Sequence, residues 1–74
     1  MTAEQLRMAM AMLDLTVREL AARARVAPNT VMKMMKGRGV QYTSRTVVKL
    51  WLESEGLVFI DATETLTETV ARRR

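Results

Sequence analysis

Between residues 16 and 37 the chain is punctuated so closely that few backbone paths fit it. Thr16 and Glu19 have the spacing at which a hydroxyl and a carboxylate close a helix start onto each other's backbone amides. Pro28 suits the first position of a helix, where its missing N–H costs nothing, and it drives Ala27 out of the α region. Gly37 suits the left-handed residue that ends a helix. The segment TVRELAARARVAPNTVMKMMKG therefore reads as two short helices broken at Arg25-Val26-Ala27. Leu20, Ala21 and Ala24 mark the inner face of the first, and their small side chains allow a close, sharply crossed partner. Val31, Met34 and Met35 mark the inner face of the second, with Val26 as the buried plug between them. Asn29, Thr30, Lys33 and Lys36 are left to face outward.

The flanks read as support for this pair. A helix is expected from Ala3 to about Asp14, started by a second capping box at Thr2 and Gln5. Leu6, Met10 and Leu13 form its core stripe at helical spacing, with Met8 and Met12 beside it as adaptable core filling. A further helix is expected over residues 44–55, with Thr43 as its N-cap. Tyr42 and Val47 have the spacing of a hydrophobic staple across that cap, and Val47, Leu50 and Trp51 are expected to face inward. Gly56 would end this helix and bring Leu57 against Leu52. Residues 57–60, LVFI, are β-branched and aromatic and read as a strand apolar on both faces. Residues 63–70, TETLTETV, alternate with period two and read as a second strand paired with the first; a terminal amphipathic helix carrying Leu66 and Val70 is the competing reading.

Composition excludes more than it specifies. Seventy-four residues suffice for one small domain with a marginal core. There is no cysteine and no histidine, which removes disulfides, thiolate metal sites and the commonest general base and metal ligand. The eight acidic residues are scattered. No catalytic residue, metal site or cofactor is expected. No apolar run approaches the roughly 20 residues needed to span a bilayer, and no basic-then-apolar leader opens the chain, so a cytoplasmic protein with no membrane partner is expected. The net charge of +4 is unevenly placed: residues 16–49 hold eight basic side chains against Glu19 alone. Local positive charge of this kind is the electrostatic footprint of phosphate binding.

Two short helices broken by a tight turn, the second basic on its free face, have the layout of a helix-turn-helix. Over residues 3–56 the chain resembles the phage-repressor and Cro family of helix-turn-helix proteins, the xenobiotic-response-element type. The residues that carry the likeness are Leu13, Leu15, Thr16 and Glu19-Leu20-Ala21, then Val26, Thr30, Val31 and Lys36-Gly37. The resemblance implies a mainly α, four-helix, lambda-repressor-like domain over residues 1–56. Residues 57–74 would follow as a short C-terminal strand or hairpin used for dimerisation, with a mobile basic tail at Arg72, Arg73 and Arg74.

Four departures from the family pattern stand out. Arg25 occupies a turn position that usually carries Gly because it prefers positive φ. Val17 replaces a Gln that commonly touches DNA. Pro28 begins the second helix of the motif where many members place a polar base reader, although its ring could touch a thymine methyl. Met10 and Met35 stand where many members bury an Arg–Glu ion pair; losing both charges together leaves neither unpaired.

These readings imply a sequence-specific double-stranded DNA-binding regulator, expected to be a repressor acting as a homodimer on a palindromic operator. Pro28, Asn29, Thr30 and Lys33 are the expected base readers, Asn29 because an amide can bond adenine N6 and N7 together. Arg18, Arg25, Lys36, Arg38, Thr43, Ser44 and Arg45 are expected to position the phosphate backbone. Leu57, Val58, Phe59 and Ile60 are the expected dimerisation element, by strand exchange or strand addition, with an intrachain hairpin as the alternative. The rival function is a protein-interaction module, such as an antitoxin or adaptor, that keeps the fold without reading DNA.

Overall fold

A computed structural model describes residues 1–73. Four helices, α1 (Ala3–Met12), α2 (Val17–Ala24), α3 (Pro28–Met35) and α4 (Tyr42–Ser54), are followed by a hairpin of β1 (Leu57–Ile60) and β2 (Thr69–Arg72). The two strands are antiparallel, with Leu57 opposite Arg72 and Ile60 opposite Thr69. Among the described residues, no helix is long and apolar enough to cross a membrane.

The first two helices begin as their sequences predict. The Thr2 hydroxyl accepts from the Gln5 amide at 3.1 Å, and the Gln5 side chain accepts from the Thr2 amide at 2.9 Å. Thr16 and Glu19 repeat the exchange at 3.2 and 2.9 Å. The Thr16 amide holds the Glu19 carboxyl below its ordinary pKa. α1 stops at Met12, short of the expected Asp14, because Asp14 turns left-handed at φ 53°. α2 ends on Arg25 at φ 60°, ψ 45°, the left-handed position that the resemblance assigned to Gly. An arginine there costs on the order of 1 kcal/mol in backbone strain.

Leu6, Ala9 and Met10 of α1 meet Leu20, Ala21 and Ala24 of α2 and Val31 and Met34 of α3 in one core. Met35 and Val26 are half-buried against it. Leu57 of β1 and Val70 of β2 belong to the same core, so the hairpin is built into the helical body. The Cα radius of gyration, 11.7 Å, is close to the roughly 11 Å expected for a folded chain of this length.

Gln5 joins the two parts. It is fully buried, and its side-chain NH2 donates to the carbonyls of Ile60 at 3.0 Å and Thr69 at 3.1 Å. Those two residues form one rung of the ladder, so a single amide pins the end of the hairpin to α1.

Besides the earlier end of α1, four expectations are corrected, the first being the start of α4 with its cap and staple. α4 is capped at Gln41, not Thr43, and no side chain closes its start; Thr43 and Ser44 lie inside the first turn. The Tyr42–Val47 staple is absent, with Tyr42 81% exposed. The second correction is its inner face: Val48 and Leu52 are buried, whereas Val47 and Leu50 lie outside and Trp51 is half-buried. Apolar residues fill most of 47–52, more than one stripe can bury. Gly56, at φ 94°, turns β1 back along the Val48–Leu52 side, where Lys49 Nζ stands 5.8 Å from the centre of the Phe59 ring.

The third correction concerns residues 63–70, of which only Thr69 and Val70 are strand. The Thr63 hydroxyl accepts from the Leu66 amide at 3.1 Å while the Thr63 amide donates to the Leu66 carbonyl at 2.8 Å. That local turn competes with the ladder for the same backbone groups. The fourth concerns the basic tail. Arg72 is in β2 and donates to the Met12 carbonyl; Arg73 donates to the Glu53 carbonyl at 3.3 Å. Arg74 lies outside the described residues.

Candidate nucleic-acid interface

At about 100° per residue, the side chains of α3 divide cleanly. Val31 and Met34 are buried. Pro28, Met32, Lys36, Asn29 and Lys33 follow one another around an exposed arc, with half-buried Thr30 at its border. Ala27 cannot cap this helix with a side chain, and Pro28 brings no N–H. The start of α3 is therefore open, with Asn29 at its second position. Gly37, at φ 72°, releases the chain into the turn toward α4.

Between α3 and α4 lies a groove of about 460 Å³, lined by Thr30 and Lys33 on one wall, Gly39, Val40 and Gln41 along the floor, and Ser44 on the other wall. Gln41 and the backbone of Gly39 and Val40 are additions to the expected set. The signal available for Gln41 was its place just before the helix start, where its amide makes no cap hydrogen bond. Ser44 joins Thr30 and Lys33, but Arg45 does not: a quarter turn further round α4, it lines a separate hollow with Met1, Tyr42, Thr46 and Lys49.

Arg18 is exposed in the first turn of α2, whose leading amides have no intrahelical acceptor. Glu19 brings a carboxylate to the same end, so the field there is mixed. Arg25, Lys36, Arg38 and Thr43 are exposed.

The basic side chains fall into two groups by what they touch. Arg7 donates to the Met35 carbonyl at the end of α3 and stands 3.8 Å from Glu4. Arg72 and Arg73 reach the ends of α1 and α4. Each thus meets a carbonyl at a helix C-terminus, the negative end of the dipole; those of Met35 and Met12 are left unpaired by their helices, while that of Glu53 also accepts from the Gly56 amide. Among the described residues, Arg18, Arg23, Arg25, Lys33, Lys36, Arg38 and Arg45 donate no side-chain hydrogen bond and form no ion pair within 4.0 Å. Among the described residues, no three carboxylates gather as a metal-binding group.

The expected dimerisation strand divides by face. Leu57 is buried and Phe59 half-buried against the helices, while Val58 and Ile60 are exposed on the outer side. The helices cover one apolar face of LVFI and leave the other open, while β2 pairs with one edge of the strand.

No protein-family model matches this chain, and no curated protein is similar enough to match it.

Proposed function

We propose that α2, the Arg25 turn and α3 form a helix-turn-helix that places α3 in the major groove of double-stranded DNA, as in the phage-repressor and Cro family. The protein then acts as a sequence-specific transcriptional repressor. The observation that carries this reading is the uncommitted basic charge around an open helix: Lys33 and Lys36 stand with Asn29 on the exposed arc of α3 and meet no acidic side chain. Asn29 reads adenine through its amide, Lys33 reaches guanine O6 or N7, and Thr30 and Pro28 offer methyl and ring contacts to thymine. Arg18, Arg25, Lys36, Arg38, Thr43 and Ser44 hold phosphates and fix the register. Gln41 joins them from the groove floor. Arg45 contributes from the next face of α4.

One such unit reads only a few base pairs. Two copies pair through the open side of the hairpin, at Val58 and Ile60, so that their α3 helices meet half-sites about 34 Å apart. Sedimentation should give the mass of two chains, and a monomer at high concentration removes the pairing.

Selection from random duplexes, repeated at two salt concentrations, tests the function. A palindromic consensus is the expected result. Absence of enrichment rejects DNA reading and favours the interaction module.

A further inference from the structure

Met32 is the one apolar side chain longer than a proline ring on the exposed arc of α3, and it is 44% exposed. It stands over an apolar depression of about 300 Å³ formed with Val17 and Met35, rimmed by Arg7 and Lys36. Val17 opens α2 and Met35 closes α3, so the hollow spans the two helices beside Lys36. Arg7 on one rim is engaged by Glu4 and the Met35 carbonyl, whereas Lys36 on the other is free, so the uncharged floor suits a ligand that is apolar at its tip and anionic on one flank. The geometry points to one occupant within the DNA-binding reading above: the 5-methyl group of a thymine, read by Met32 and Val17 while the free cation Lys36 faces the neighbouring phosphate.

The chemistry is specific to that base. In the major groove thymine alone among the four bases carries a methyl group beside its acceptor. The hollow, of about 300 Å³, is a surface depression broad enough to receive a methyl group. Methionine is unbranched and polarizable, and it shapes itself to such an edge better than a branched side chain. The Arg7 guanidinium is held by the Met35 carbonyl, which fixes the charge at the rim rather than over the floor.

The test uses the duplex recovered by selection and replaces each thymine in turn with uracil, which removes the methyl and keeps the pairing. Burial of one methyl corresponds to about a fourfold change in affinity. One thymine per half-site should show that loss with the unaltered protein. The loss should disappear in Met32→Ala and persist in Met32→Leu, with circular dichroism confirming that both variants fold. Uracil replacements that cost the unaltered protein nothing, or that cost Met32→Ala as much, overturn the methyl contact while leaving DNA reading intact. A preference that follows 5-methylcytosine over thymine at that position overturns the choice of base. Failure of any duplex to be selected overturns both readings together.

Discussion

The N-terminal ends of α1 and α2 are closed, and those of α3 and α4 are open. In the first pair, Thr2–Gln5 and Thr16–Glu19 each satisfy two backbone amides from within. In the second pair, Ala27 and Gln41 make no side-chain cap bond. The basic residues also divide, but along a different line: Arg18, Arg23 and Arg25 of α2 and its turn are as free as the cations of α3. Arg7, Arg72 and Arg73 are bonded to helix-end carbonyls, whereas the exposed cations of α3 and of the turn after it are bonded to nothing in the protein. One half of the molecule satisfies itself. The other half keeps backbone donors and exposed charge free for water or a ligand.

The largest effect should come from the closed half. Met10→Arg puts an unpaired charge where a buried methionine stands, and should destabilise the fold by about 3–5 kcal/mol. A thermal melt unchanged by this substitution would contradict the apolar packing of α1 against α3. Asn29→Ala, in the open half, should leave the melt alone and cost about 1–3 kcal/mol of binding to the selected duplex. A lowered melting temperature would make Asn29 part of the scaffold and blur the division.

The caps offer a sharper contrast. Thr16→Ala should cost about 1 kcal/mol, or roughly 4–8 °C in melting temperature for a chain this size. Thr43→Ala should cost almost nothing, because Thr43 caps no helix. Equal losses would restore Thr43 as a cap. pH separates the halves as well. The Glu19 carboxyl is held below its ordinary pKa by the Thr16 amide, so its contribution is present above that ordinary value and is lost as pH falls through the lowered one. The difference in melting temperature between the unaltered protein and Glu19→Gln should therefore shrink on acidification below about pH 4. The smallest effect belongs to Lys36→Ala, which should lower the salt slope of binding by about one unit with little change in sequence preference.

The closed half was the legible half. Capping boxes are local: a hydroxyl and a carboxylate or amide three residues apart are sufficient, and both formed as read. Pro28 and Gly37 also marked their boundaries, and Arg25 took the left-handed turn that the family pattern assigns to Gly. α4 was misplaced because its start has no capping side chain to announce it, and because Val47, Val48, Leu50, Trp51 and Leu52 offer several possible inner faces. Only the return of β1 selects among them. Gln5 was read as a cap and is also the clamp on Ile60 and Thr69, a contact across 55 and 64 residues that no local pattern records. The outward arc of α3 was legible at Asn29 and Lys33. Met32 carries no local mark of its exposure, because a methionine beside other methionines suits core filling equally well.

Amide chemical shifts followed during titration with the selected duplex test the division most directly. The account predicts the largest changes from Asn29 to Lys36 and from Gly39 to Ser44, with Gln5, Ile60 and Thr69 unmoved. Changes concentrated on α1 and the hairpin, with α3 silent, would contradict it.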